Sequence, residues 1–309
     1  MAPDRPRRWT VQAEDAGPVE HALLRWGVDP GSVGQGRVFV DRRRASANAR
    51  LSAGQVVDVF PLRDGARSAR VAILEQRDGV VAVFKPAGIP TIPSQRGTEA
   101  SVIAAVARLL GLRTPSRVHA SSRLDADVSG VLLVATTPRA RESLKAAREA
   151  GLYQRHYVAI GSAVPEPPKG VLDVPIGRAP DRRLRRVGGA DAVDAKTLYA
   201  VAASAGGCAL IAAEPVTGRT HQIRVHLAHA GAPLVGDPVY APRRTVVLAS
   251  GAVRDIRRIA LHAAWVRVQL APNREPWVVH AAVPAELKQL WRELGGVDED
   301  WPAALAGLG

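Results

Sequence analysis

The spacing of hydrophobic positions changes several times along the chain, and each change marks an element. Val19 to Trp26 is amphipathic with a helical period, and Gly27 follows at the position where helices stop. Gly36-Arg-Val-Phe-Val-Asp41 alternates with period two, and Gly54-Gln-Val-Val-Asp-Val-Phe60 does so again, so both predict strands. Residues 62–70 are polar and read as a linker. Val71–Leu74 and Val80–Phe84 are apolar runs split by a glycine-containing turn. Val102–Leu110 predicts a helix stopped by Gly111, and Val131–Ala135 a buried strand. Thr137-Pro138 has the N-cap and first-turn pattern of a helix that Gly151 ends. Ala163–Gly170 is a proline-rich connection, Ala264–Leu270 alternates as a half-exposed strand, and Pro284–Leu294 predicts the last helix before a glycine-rich tail. No internal repeat is present. Strands and helices mix without regular βαβ spacing, which predicts an α+β fold with a largely antiparallel sheet. The expected organisation is a small front unit over 13–61, the linker at 62–70, and a main body over 71–290.

Composition narrows the class of partner. Lys+Arg 42 against Asp+Glu 29 gives a net charge of +13, and 37 of those bases are arginine. An arginine-rich genome would explain the preference for arginine over lysine, but not the net excess. That excess suits a polyanion, because each neutralised phosphate releases counterions, so RNA or DNA is the expected partner. No run of about 18 apolar residues is present, which argues against a membrane helix. The first residues, MAPDRPRRWT, are charged with no apolar stretch behind them, unlike a signal peptide, so the cytoplasm is the expected compartment. The single cysteine, Cys208, excludes an internal disulfide and a cysteine zinc site, and its apolar surroundings make it a core residue.

Three segments of the main body can carry chemistry. Arg123-Leu-Asp-Ala-Asp-Val-Ser-Gly130 places carboxylates in a polar turn directly before the buried strand. Taken alone it reads as a turn whose aspartates bond their own backbone. Thr217-Gly-Arg-Thr-His-Gln-Ile-Arg-Val-His-Leu227, followed by Gly236-Asp-Pro-Val-Tyr240, mixes polar groups with Ile223, Val225 and Leu227. Its arginines and glutamine could bind phosphate or pair with a buried carboxylate. His221, His226 and His229 raise a metal site as a rival, but they do not share one face and no carboxylate has ligand spacing, so no metal is expected. Arg155-His-Tyr157-Val-Ala-Ile sets a tyrosine among apolar strand positions, where a core role is the ordinary reading.

Taken in order, these segments resemble the RluA-type pseudouridine synthase family. Lys85-Pro-Ala-Gly88 matches its KPAG-like segment, Ser122–Gly130 its HRLDxxTSG-like segment, and Arg155–Ala159 its K-x-Y-x-A segment. Thr217–His226 matches TGRxHQIRVH, Gly236–Tyr240 matches GDPxY, and Leu261-His-Ala263 matches a late LHA. Ser122 stands where the family usually has His, Val128 where it has Thr, and Arg155 where it has Lys. The resemblance covers roughly residues 70–285. A six-part match in order is specific where one piece is not. It implies a pseudouridine synthase fold, with a mostly antiparallel central sheet flanked by helices and loops. It also implies Asp125 as the catalytic carboxylate, Tyr157 as the ring packed on the target uracil, and Arg224 as the ion-pair partner of Asp125. Arg123 would help hold the displaced nucleotide, and Arg219, His221 and Gln222 are the further residues expected to touch RNA. Such an isomerisation requires no metal, nucleotide or redox cofactor.

Residues 13–61 resemble a shortened S4-like RNA-binding domain, because Val28–Gln35 leaves little room for its second helix. The expected function is isomerisation of specific uridines in ribosomal or transfer RNA by a cytoplasmic monomer. The alternative is a non-catalytic RNA-binding or ribosome-assembly protein on a retired synthase fold.

Overall fold

The computed structural model describes residues 6–34, 38–41, 43–46, 48–60, 71–93, 101–112, 114–179, 184–189, 191–241 and 244–308, so the expected linker at 62–70 lies outside it. Ten strands form the main sheet: β1 Ala72–Arg77, β2 Val80–Lys85, β3 His119–Ala120, β4 Ser129–Ala135, β5 Tyr153–Gly161, β6 Lys169–Asp173, β7 Lys196–Ala205, β8 Cys208–Pro215, β9 Leu261–Val268 and β10 Trp277–His280. Their order is β6-β7-β8-β5-β9-β4-β2-β1, with β3 beside β4 and β10 beside β9. Only the short β4–β9 pairing is parallel. The α+β class and the antiparallel sheet expected from the sequence are both present.

Local chemistry explains the strand order. Asp78-Gly79, with both residues at positive φ, makes the two-residue hairpin between β1 and β2. All seven residues of β4 are buried, as a continuous apolar run in a central strand requires. Helix α1, Val102–Leu109, starts where the Ser101 hydroxyl accepts from the Ala104 N–H. Helix α2, Pro138–Glu149, starts in the same way at Thr137 and buries Ala140, Leu144 and Ala147 against the sheet. Three further helices follow: α3 Gln222–His229, α4 Ala285–Glu293 and α5 Trp301–Leu305. No helix among the described residues is long and apolar enough to cross a membrane.

The sheet is covered on both faces by separate cores. One contains Ala159, Ile211, Leu261 and Leu144 of α2, together with Ile223 and Leu227 of α3. The other packs Val158, Ile160, Leu210 and Ala264 against Leu287 and Trp291 of α4 and Trp301 of α5. The strand over Ala264–Leu270 alternates as expected, with Ala264, Val266 and Val268 buried and Arg267 exposed. One expectation is corrected here. Helix α4 is not the last, since α5 follows it. The α5 segment gives its Ala304 carbonyl to His156 and its Leu305 carbonyl to the Trp265 indole.

At the front of the chain, strands Arg7–Thr10, Val56–Val59, Val38–Val40 and Arg43–Arg44 form a second sheet beside helix Val19–Arg25. Val19, Leu23, Val38, Leu51 and Val57 make its own core. A four-residue helix, Gly31–Gly34, occupies the place where a second helix was expected to be short or missing.

Gly130 marks the tightest strand approach near the site. It has a φ of +128°, and an added Cβ would lie 2.2 Å from the Ala263 carbonyl oxygen, where β4 pairs with β9. Gly130→Ala is expected to cost about 3 kcal/mol or more in urea unfolding, through both strain and overlap. Gly111→Ala, at φ +65° with open space around it, should cost only about 1 kcal/mol.

Candidate active site

The Asp125 turn is held from outside itself. Lys85, buried at the end of β2, donates from Nζ to the carbonyls of Pro86 (3.0 Å), Ala126 (2.9 Å) and Val128 (2.6 Å). Burial pushes the Lys85 ammonium down to about 7, against the pull of Asp127 and Asp125. Thr91 receives the Leu124 N–H at 3.0 Å and donates its hydroxyl to the Leu124 carbonyl at 2.7 Å. Leu124 and Val128 are buried on either side, so the turn is pinned while the Asp125 side chain stays 26% exposed.

Arg224 reaches that carboxylate from the first turn of α3. Its Nη1 donates to Asp125 Oδ2 at 2.7 Å, and its Nε and Nη2 donate to the two oxygens of buried Asp237 at 2.7 and 2.9 Å. Asp237 Oδ1 also receives the N–H groups of Val239 and Tyr240. Burial works to lower the Arg224 pKa, but Asp237 and Asp125 together raise it above its ordinary value, so the guanidinium stays charged. The Tyr240 ring packs on it, 5.0 Å from centroid to guanidinium carbon.

The turn before α3 is fastened by Gln222. Its Oε1 accepts from the Thr217 hydroxyl (2.7 Å) and the Arg219 N–H (2.9 Å), and its Nε2 donates to the Lys196 carbonyl and the Thr197 hydroxyl. With its amide engaged in these four bonds and buried, Gln222 holds the fold of the turn at the cavity wall. His221 sits in the left-handed region at φ +59°, with Nδ1 2.8 Å from the Tyr240 hydroxyl and Nε2 3.8 Å from Asp125 Oδ2. Burial lowers its pKa against the pull of Asp125. Arg123 reaches across to the Thr220 hydroxyl at 3.2 Å, and Arg219 is exposed with Nε on the Asp194 carbonyl.

Tyr157 comes from the sheet. The β5–β9 register shifts between His156 and Tyr157, an irregularity of the kind that re-aims a side chain. Its ring is nearly buried in the cavity wall, and burial pushes its hydroxyl up to about 12. Arg155, on the same side of the strand, donates to the carbonyls of Pro215 and Thr217. Asp125, Tyr157, Arg224, Arg123, Arg219, His221 and Gln222 thus line one cavity of about 500 Å³. No group of residues able to hold a metal ion occurs among the described residues. His226 has both ring nitrogens engaged, by Thr197 and the Val174 carbonyl.

The sequence reading did not give roles to Asp237, Tyr240, Lys85 or Thr91. The first three lay within quoted motif pieces, whereas Thr91 had no such signal. His262 was likewise quoted without a role. Its Nε2 donates to the Ala281 carbonyl, its Nδ1 accepts a hydrogen bond from the Ser129 hydroxyl, and Ser129 Oγ accepts one from Arg258.

Comparison with known proteins gives the family of the chain. A family described as RNA pseudouridylate synthase matches residues 79–229. A protein of Chloroflexus aurantiacus named as an uncharacterized RNA pseudouridine synthase is 37% identical over 214 residues, spanning 68% of this chain and 65% of its own length. The ribosomal large subunit pseudouridine synthase D of Xanthomonas campestris pv. campestris is 31% identical over 272 residues, covering 84% of this chain and 81% of that protein. The solved structure of human RNA pseudouridylate synthase domain containing 4 shares the fold, with a TM-score of 0.58 at 24% identity, over 72% of this chain and 92% of that one. The chain belongs to the RluA-type RNA pseudouridine synthase family, a family of isomerases.

The two carboxylates on Arg224 should differ sharply in their effect on stability. Asp237→Ala leaves a buried guanidinium without its main counter-charge and is expected to cost about 3–5 kcal/mol in urea unfolding. Asp125→Ala, at the open end of the triad, should cost less than about half of that.

His262 gives a pH test. Burial pushes this imidazole down to about 4, from an ordinary value of 6.5. Above pH 6.5 the ring is neutral both folded and unfolded. Below it the unfolded chain takes up a proton that the buried ring refuses until about pH 4, so stability falls across that window. The contribution lost between pH 7 and 5 is about 2 kcal/mol. His262→Gln should show a correspondingly shallower loss when unfolding free energies at the two pH values are compared with wild type.

Proposed function

We propose that this chain is an active synthase that isomerises specific uridines in ribosomal or transfer RNA, with Asp125 as the catalytic carboxylate. The observation that carries the reading is the carboxylate itself: a charge-paired Asp125, clamped by Arg224 and bordered by a neutral Tyr157, at the wall of a cavity ringed by arginine. A uridine turned out of its stack would enter that cavity, since the reacting bonds are out of reach inside a helix. Asp125 either attacks the ribose or removes a sugar proton, the bond from the sugar to the ring nitrogen breaks, and the base turns and rejoins through a ring carbon. That carbon gives up one proton and the ring nitrogen ends with one, so the overall change is an isomerisation.

Tyr157 acts as a ring and a phenol. With its hydroxyl at about 12, only about one molecule in 10⁵ holds a phenolate at pH 7. Packing against uracil is therefore its main contribution, and abstraction of the ring-carbon proton needs another acceptor or water. Arg224 is the positioning partner of Asp125. Arg123 and Arg219 stand at the cavity mouth for the phosphates around the target, and His221 stands between Tyr240 and Asp125.

Two relatives, from Xanthomonas campestris and Nitrosomonas europaea, are named ribosomal large subunit synthases, which favours ribosomal over transfer RNA as the substrate. The front unit, with its own small core, is the proposed S4-like RNA-binding domain, and the enzyme is proposed to act as a cytoplasmic monomer. Retirement of the site is disfavoured by the joint presence of Asp125, Tyr157 and Arg224 in one cavity.

Asp125→Asn keeps the size of the side chain and removes its charge. It should bind RNA within about twofold of wild type, yet release tritium from 5-tritiated uridine RNA at background. Near-normal release would remove Asp125 from the reaction, and no release from wild type on ribosomal or transfer RNA would support the retired alternative.

A further inference from the structure

A second cavity, of about 480 Å³, lies beside the first and shares its wall. Ser121, Arg148, Arg155, Thr217, Gly218 and Arg219 line both cavities. The outer side of the second is helix α2, which presents Arg141, Lys145 and Arg148 at one-turn intervals. These three positions span about 10 Å of helix, the reach of two or three successive phosphates. Tyr153 gives the same cavity an aromatic side chain, with the Arg155 guanidinium 5.8 Å from its ring centre. Glu149 lines it too, against five cations.

The state of these cations leaves the charge of the trough uncompensated. Arg141, Lys145, Arg148, Arg155 and Arg219 make no ion pair among the described residues. Arg148, Arg155 and Arg219 donate to backbone carbonyls, of Ser121, Pro215, Thr217 and Asp194, which orient a guanidinium without neutralising it. Across the molecule, Arg254, Arg258 and Arg292 each pair with a carboxylate. Gly218 stands at the threshold between the two cavities, where an added Cβ would lie 3.4 Å from Arg155 and 3.7 Å from Arg148. The passage between them is thus walled by arginine tips.

We propose that this trough is a second nucleotide subsite, which binds the single-stranded RNA residue flanking the target uridine. Its phosphates lie along Arg141, Lys145 and Arg148, and its base lies toward Tyr153. The inference rests on the synthase reading of the first cavity. The similar volumes of the two cavities, their shared arginine wall and the uncompensated charge support this occupant. A single strand suits the site because its bases can stack on an aromatic side chain while cations follow the backbone.

The test uses the full chain and a uridine-containing single-stranded RNA oligonucleotide. Arg141→Gln with Lys145→Gln removes two exposed charges whose side chains make no hydrogen bond or ion pair among the described residues. Arg139→Gln with Lys169→Gln removes two exposed charges that line neither cavity. The trough variant should flatten the dependence of log affinity on log salt by about 1.4 and weaken binding about tenfold near 0.1 M salt, with kcat unchanged and KM raised. The control pair should change the slope by less than half as much. An unchanged slope in the trough variant, or an equal change in the control, would overturn the subsite. Because binding is read separately from turnover, an inactive wild type would remove the synthase reading while leaving the binding result interpretable.

Discussion

One guanidinium sets the geometry on which the site depends. Arg224 is buried, and removing such an ion from water costs several kcal/mol unless its donors are met. Asp237 meets two of them from behind and is itself satisfied by the N–H groups of Val239 and Tyr240. The remaining face is left for Asp125, at the edge of the cavity. The inner pair therefore fixes the arginine, and the fixed arginine orients the outer carboxylate. Had Arg224 only Asp125 as a partner, the two would be free to swing out together into solvent.

The other parts of the site are arranged so that this alignment costs little flexibility. Helix α3 begins directly after a turn that Gln222 closes through four hydrogen bonds, so Arg224 leaves a rigid first turn. The Asp125 turn is pinned by Lys85 and Thr91, both on segments far away in the chain. Tyr157 takes its place from the sheet, and its neighbour His156 points to the opposite face, where Glu214 and the Ala304 carbonyl hold it. Helix α5 thus anchors the reverse side of the strand that presents the tyrosine. Supports of this kind hold reacting groups in place better than loop contacts alone.

The sequence made some of this readable and hid the rest for physical reasons. Thr137-Pro138 and the apolar run Val131–Ala135 speak locally, through capping and strand burial, and both appear as expected. The alternation over Ala264–Leu270 is also kept, with Ala264, Val266 and Val268 buried and Arg267 exposed, whereas α5, a five-residue helix, is too short to show a period. The Asp125–Arg224 contact joins residues 99 positions apart and was implied by family resemblance, not by spacing. Asp237 is 13 residues from Arg224, in a loop with no regular geometry, so only the folded chain reveals why the motif contains an aspartate. The turn-closing role of Gln222 was not legible either, because an amide can pair with many groups. Its partners, Lys196 and Thr197, come from a strand that the sequence reading did not place nearby.

Net charge alone says little about where RNA would lie, and the partners of the arginines say more. A guanidinium beside a carboxylate contributes little to the field at distances well beyond their separation, because the two charges largely cancel there. One held by a backbone carbonyl keeps its full charge while losing its freedom, so it can meet a phosphate without first being ordered. Arg254, Arg258 and Arg292 are of the first kind, and Arg148, Arg155 and Arg219 are of the second. Arg224 belongs to neither, because it answers two carboxylates and serves the chemistry by fixing one of them. The +13 of the whole chain therefore counts cations in different states, and those that line the two cavities include both kinds of partner. Beside Asp125, the carbonyl-held guanidinium of Arg155 and the doubly paired one of Arg224 line the same cavity, so a carboxylate sits there among cations whose orientation the fold has already set.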